Sequence, residues 1–259
     1  MASSTLLFRA RNSMRLHRFY VTERIGSTKE LAIHSDELAN QLSRVFRLKT
    51  GDKVILFDGS GFDYECVISG FSNRSGVGLS GTEKSDQKVV TFSVEKKVAS
   101  RSMPPREVYL YAAIVKKDTF EWIVEKATEL GVTHIIPVMA ERSEKKNLNE
   151  YRLKKIAIEA SEQSGRGNIP EITTIVDLSK SLELVAVSHI SALTFHLEGE
   201  PFSTSASTGP VALFIGPEGG WSPAELEMFH NNKILVVSLG NQVLRTETAV
   251  VAALSKVLL

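Results

Sequence analysis

The sequence predicts an α/β chain of two parts, a β-rich first half and a second half built on a parallel sheet covered by helices. Three observations predict it. Short β-prone runs separated by turn signals fill residues 17–98. A Pro-Pro stretch with small and basic neighbours interrupts the chain at 99–106. Beyond it, strand-like apolar runs alternate with amphipathic helical ones across 107–259.

In the first part, runs at 18–21, 30–33, 53–57, 62–68 and 88–98 read as strands. Thr50-Gly51-Asp52, Asp58-Gly59-Ser60-Gly61 and the Ser/Gly/Asn cluster at 69–76 separate the later ones. One helix interrupts them. Ser35 can cap it, Asp36 and Glu37 suit its positive end, and Leu38, Leu42, Val45 and Phe46 form one apolar stripe. A small barrel with one helix satisfies this pattern. The adjacent Pro104 and Pro105 cannot continue a strand ladder, so 99–106 reads as the linker between domains.

In the second part, 108–115 is a near-continuous apolar run, as expected of a strand buried on both faces. Asp118 with Glu121 in capping-box spacing opens a helix whose core face is Phe120, Ile123, Val124 and Ala127, and Gly131 can end it. A strand follows at 135–139, then a helix over 151–164 that buries Leu153, Ile156, Ala157 and Ala160. Further strands read at 192–197, 211–215 and 235–239. A last helix carries Val250, Ala253, Leu254, Val257 and Leu258 on one stripe.

Composition narrows the function. Apolar content of 42% and charged content of 24% are those of an ordinary globular protein. No apolar run approaches the roughly 18 residues of a membrane span. Cys66 is the only cysteine, which excludes an internal disulfide and a cysteine-based zinc cluster. Residues 1–49 carry nine Lys/Arg against four Asp/Glu, while the whole chain balances at +1, so a polyanion is expected to dock on the N-terminal side. Residues 1–16 read as a disordered leader. Arg9, Arg11 and Arg15 with no acid also fit an organellar transit peptide.

Ligands of open α/β sheets bind outside the carboxyl ends of the strands. Three such ends are unusual here: 194–199, the glycine-rich Ile215-Gly216-Pro217-Glu218-Gly219-Gly220-Trp221-Ser222, and 238–248. Ser222, Pro223 and Glu225 form the cap, N1 and N3 positions of a helix that starts at once. The spacing of this loop is not G-x-G-x-x-G, and no P-loop pattern occurs in the chain, so a dinucleotide or P-loop nucleotide site has no support here. Arg245 lies near a helix start, where the dipole disfavours a cation, a local conflict of the kind enriched at functional sites. His134 and His196 are isolated and lack metal-ligand spacing. Trp122 and Trp221 are expected as core or interface anchors.

Ile215-Gly216-Pro217-Glu218-Gly219-Gly220, followed by Leu239-Gly240-x-x-Val243-Leu244-Arg245-Thr246-Glu247-Thr248-Ala249, resembles the signature of the SPOUT-class methyltransferases. More narrowly, the chain resembles the bacterial 16S rRNA uridine-N3 methyltransferase family. His17-Arg18-Phe19-Tyr20-Val21 and the stretch from Leu42 to Asp52 are similar to its N-terminal elements. Lys126–Val132, Glu141-Arg142-Ser143 and Glu159–Arg166 are similar to its central motifs.

The resemblance implies a PUA-like RNA-binding β-barrel domain over 17–98 and a SPOUT α/β domain with a trefoil knot over 107–259. It implies a homodimer acting on 16S rRNA or the small ribosomal subunit, with S-adenosyl-L-methionine as cofactor, in the cytoplasm or, for a eukaryotic source, in an organelle. Cofactor contacts fall to Leu197, Gly216, Pro217, Glu218, Gly219, Leu239, Gly240, Val243, Leu244 and Thr246, and catalysis to Arg245 with Glu247 orienting it. Arg18, Arg44, Arg47, Arg142, Gln163 and Arg166 are the expected RNA contacts. Gln242 stands where the family usually carries a basic residue. That departure leaves two alternatives, an RNA-binding protein that has kept the fold without activity, and methylation of a different RNA.

Overall fold

The computed structural model describes residues 16–74, 87–144, 147–188, 190–203 and 209–259. The leader expected at 1–16 lies outside these but for residue 16, as does the end of the 69–76 turn. Two compact units result: among described residues the first holds 16–19, 25–56, 64–74 and 87–96, and the second 20–24, 57–63 and those from 97 onward.

A five-stranded sheet runs in the order β1 (Arg18–Tyr20), β3 (Lys53–Phe57), β4 (Phe62–Arg74), β5 (Gln87–Ala99), β2 (Glu30–His34). In the first unit Phe19, Leu42, Val54, Leu56, Ile68 and Phe92 are buried. Cys66 joins this core, and burial pushes its thiol up to about 12, so it stays protonated and inert. Ser35 caps α1 (Asp36–Asn40) as expected, accepting from the Leu38 N–H at 3.1 Å. The expected stripe then breaks. Gln41–Val45 is a π-helical turn in which the Phe46 N–H reaches Gln41 O. The extra residue per turn rotates Val45 and Phe46 off the buried face, and both are exposed while Leu38 and Leu42 stay buried.

The second unit is a seven-stranded sheet. Its main path is β12 (Leu235–Ser238), β10 (Ser191–Pro201), β11 (Val211–Ile215), β6 (Val108–Ala113), β7 (His134–Met139), β8 (Glu171–Ile172), with β9 (Val176–Asp177) also on β7. The pairings are parallel. Alternation within the apolar runs explains why both faces are covered. Leu110 and Ala112 of β6 and Leu213 and Ile215 of β11 pack with α2 (Lys117–Leu130), α3 (Glu150–Ser164) and α6 (Thr246–Leu258). Their neighbours Tyr111, Ala113, Ala212 and Phe214 pack with α4 (Leu178–Ser188) and α5 (Pro223–Asn231). Helix α4 was not anticipated, although Leu178, Leu182 and Val185 carry a helical stripe.

Three expectations are corrected here. The Asp118–Glu121 capping box does not form: α2 starts after Lys116 without a side-chain cap, and Glu121 instead meets Arg152 of α3 at 3.3 Å. The stripe of α6, a surface a homodimer would use if it stood open, is spent internally, since Val250, Ala253, Leu254 and Leu258 are buried in the core. Arg166 is not an RNA-facing group. It is 2% exposed, and its two terminal nitrogens donate to Thr128 O and Val132 O, each at 2.8 Å. Those carbonyls lie in the last turn of α2 and just beyond its C-cap, where Gly131 turns left-handed (φ 104°) and the helix end offers more acceptor capacity than backbone donors fill. Burial lowers the Arg166 guanidinium to about 10, which leaves it charged at neutral pH.

The 99–106 stretch is built in. The Ser100 N–H donates to Gly61 O, its hydroxyl donates to Asp63 at 2.6 Å, and Ser102 pairs with Arg166 as an isolated bridge.

Candidate active site

The carboxyl ends of β10, β11 and β12 converge on one cavity of about 260 Å³. Each arrives by a different device. In β10 the pairing with β12 jumps from Phe195–Val237 to Glu200–Val237, so residues 196–199 loop out of the ladder and bring Leu197 to the cavity. Only glycine can return the chain: a Cβ on Gly199 would lie 2.5 Å from the Val237 backbone.

β11 ends in the Gly216–Gly220 loop. A Cβ on Gly216 would stand 3.1 Å from the Trp221 indole, so this close passage also calls for glycine. Gly220 takes a φ of +67° and its N–H closes a turn onto Pro217 O. Helix α5 begins with the expected capping box: Ser222 Oγ accepts from Glu225 N, and Glu225 Oε2 accepts from Ser222 N at 2.8 Å. The other oxygen of this buried carboxylate accepts from Glu141 N at 2.8 Å. Both oxygens of Glu225 are therefore committed to main-chain donors. Glu225→Ala should cost about 2–4 kcal/mol of unfolding free energy by stranding two N–H groups. A loss under about 0.5 kcal/mol in urea denaturation would show those donors are otherwise served.

From β12, Ser238 Oγ exchanges hydrogen bonds with the Gly240 main chain, and Gly240 adopts φ +136° before Gln242, Val243 and Leu244 pass the cavity. Helix α6 opens at Thr246, whose hydroxyl donates to Gly216 O at 3.0 Å and so ties the third loop to the second.

All ten residues expected to hold a cofactor border this cavity. His196, Trp221, Gln242 and Ala249, which are not among the expected cofactor contacts, border it too. The apolar side chains at its edge are unusually bare for their type: Leu197 is 48% and Val243 83% exposed. Exposed apolar groups beside main-chain donors and acceptors suit a ligand with a flat apolar body and a few polar atoms.

Arg245 and Glu247 do not line the cavity. Arg245 is the exposed N-cap residue of α6, and Glu247 sits half-buried in the first turn, favourably placed for the helix dipole. Among the described residues no hydrogen bond joins the two. Arg142 donates from Nη1 to Gly219 O at 2.7 Å. Arg44, Arg47 and Gln163 are exposed and Arg18 is half-buried. Arg47 holds a left-handed φ of 56°.

Two family models match: an RNA methyltransferase domain over residues 102–258 and an RNA methyltransferase PUA domain over 42–75. Among curated proteins, the ribosomal RNA small subunit methyltransferase E of Rickettsia conorii is 31% identical, over 94% of this chain and 96% of its own. The protein of the same name from Bacillus subtilis is 28% identical, over 93% and 96%. Among solved structures, the ribosomal RNA small subunit methyltransferase E of Neisseria gonorrhoeae, bound to S-adenosyl methionine, superposes with a TM-score of 0.80 at 25% identity, covering 93% of this chain and 95% of that one. A Legionella pneumophila methyltransferase holding the same cofactor gives 0.76 at 28%, covering 93% and 96%.

Proposed function

Because the chain belongs to the ribosomal RNA small subunit methyltransferase E family, we propose that it transfers a methyl group from S-adenosylmethionine to N3 of a uridine in 16S rRNA. The observation that carries this reading is the three-loop cavity, whose edge is formed by the residues of the methyltransferase signature.

The residues present fit the cofactor. Leu197, Leu239, Val243 and Leu244 offer apolar surface for an adenine, and the glycine-rich loop and Gly240 expose main-chain groups that a Cβ would screen. When bound, the cofactor supplies a methyl group activated by a sulfonium leaving group. The chain's own task lies with the base. Uracil N3 carries a proton when neutral and sits on the pairing edge, so the base must be exposed and must lose that proton. Arg245, a permanent cation at the mouth of α6, is assigned to stabilise the negative charge that then develops on the uracil oxygens. A guanidinium does not serve as the base.

Division of labour follows the two-part chain, with RNA held by 17–98 and methyl transfer on 107–259, whose C-terminal loops we take to be knotted. Arg18, Arg44 and Arg47 of the first part are assigned to RNA, and Gln163 of the second part shares that role. The test is transfer of labelled methyl to unmethylated small subunits, followed by nucleoside analysis. Label is expected on uridine N3, and label on a ribose or on guanosine would remove that assignment. In the same assay Arg44→Ala with Arg47→Ala should raise the RNA KM and flatten its salt dependence by about one unit per lost phosphate contact. Action on 16S rRNA assigns the reaction to the cytoplasm. No helix among the described residues is long and apolar enough to cross a membrane. The family resemblance adds a homodimer, and light scattering that finds a monomer at micromolar concentration would exclude it.

A further inference from the structure

The Glu141-Arg142-Ser143 motif remains without a role in this scheme. It lies in the turn that leaves β7, and the turn is closed on itself: Ser143 N donates to Ala140 O, and Ser143 Oγ accepts from Ala140 N, both at 3.1 Å. A rigid turn at a strand end is a good base from which to hold something else. Two more of its polar groups reach the start of α5 and the β11 loop. The Glu141 N–H donates to Glu225 Oε1 at 2.8 Å. Arg142 Nη1 donates to Gly219 O at 2.7 Å and lies 3.5 Å from Trp221 O.

The Arg142 stem adds contact to these bonds. A Cβ on Gly219 would meet its Cδ at 3.3 Å and its Cβ at 3.4 Å, so the aliphatic part of the side chain lies directly on the glycine. The loop is thus pinned at both ends. Thr246 of α6 holds the Gly216 carbonyl, and Arg142 of the β7 turn holds the Gly219 carbonyl, with only Pro217 and Glu218 between. The free Gly219-Gly220 pair has more backbone freedom to lose than any other dipeptide, and that loss falls on ligand binding unless something has already fixed it.

We propose that Arg142 is a positioning residue for the cofactor loop: it pre-sets the Gly216–Gly220 main chain in its binding conformation, rather than contacting RNA. This rests on the reading of the cavity as the S-adenosylmethionine site. An arginine suits the role because it stays charged and sets Nη1 between the Gly219 and Trp221 carbonyls while its aliphatic stem stays on Gly219.

Arg142→Met keeps most of the stem over Gly219 and deletes the donors, and Arg142→Lys keeps the charge. Calorimetry with S-adenosylmethionine should show the dissociation constant of the methionine variant raised about tenfold, the worth of one charge-assisted hydrogen bond. Lysine should recover part of that loss, and the KM for small subunits should stay within about twofold in both. In a Trp122→Phe background, the emission of Trp221 reports on the loop directly, and the methionine variant should shift it before any ligand is added. Unchanged cofactor affinity with a raised RNA KM would overturn the proposal and return Arg142 to the RNA surface. Unchanged Trp221 emission with unchanged affinity would also overturn it. If the unsubstituted protein bound no S-adenosylmethionine, the cavity reading would fail instead, and the ligand-free Trp221 signal would still decide whether Arg142 braces the loop.

Discussion

Replacing Arg245 by alanine is expected to lower the single-turnover methylation rate at saturating RNA by about 100-fold or more, a loss on the order of 3 kcal/mol of transition-state stabilisation. The fold should be untouched. Arg245 is exposed, offers α6 no side-chain cap and makes no hydrogen bond through its guanidinium among the described residues. Cofactor affinity should change little, since Arg245 does not border the cavity that its neighbours Leu244 and Thr246 line. An uncommitted cation beside such a cavity is available for charge that appears only during reaction. Arg245→Lys should recover part of the rate, because an ammonium supplies the charge but not the planar set of donors. A rate near that of the unsubstituted enzyme for the alanine variant would remove Arg245 from the mechanism.

The second large effect is on stability. Arg166→Met should destabilise the protein by about 3 kcal/mol in urea denaturation, since two carbonyls at the end of α2 lose charge-assisted donors in a buried setting. Lysine should not restore it: one ammonium cannot reproduce a fork whose two terminal nitrogens reach separate carbonyls at 2.8 Å each. The RNA KM of the folded methionine variant should be unchanged. Unaltered stability together with weakened RNA binding would reinstate the surface role that the residue's position in the chain suggested.

These two arginines show where sequence reading succeeds and where it stops. Both follow a helix or strand end, both stand near glycine, and both lie in signature motifs. Nothing local separates them. Arg166 turns inward because the end of α2, more than thirty residues earlier, lies beneath it and presents the Thr128 and Val132 carbonyls, and only tertiary structure contains that fact. The Glu121 capping box was lost for a similar reason, as Arg152 of α3 competes for the carboxylate. The π-helical turn at Gln41–Val45 leaves no trace in a 3.6-residue periodicity, so the expected stripe overran it. The parallel sheet was legible because its strands are apolar on both faces, a pattern few other settings tolerate. The cavity was legible because three glycine-bearing strand ends have to meet where a parallel sheet presents its carboxyl edge. The bracing of that cavity was not, since hydrogen bonds from Arg142 and Thr246 to carbonyl oxygens carry no side-chain signature on the accepting loop.

The order of elements along the chain also sets when this protein can work. β11 lies between β10 and β6, β12 closes on the far side of β10, and α6 then supplies four core residues and the hydroxyl that ties Gly216. The nascent chain emerges from its N-terminus at about 5–20 residues per second. Strands β6 and β7 therefore leave the ribosome long before the elements that complete their core. During that interval α2, α3 and α4 can cover them only in part, because the remaining cover from α5 and α6 and the pairing of β6 with β11 are distant in sequence, a topology that folds slowly. The first unit can form meanwhile, while the catalytic one waits for its last helix. An enzyme whose substrate is ribosomal RNA thus acquires its active site only after translation of its own chain has brought α6 into the open.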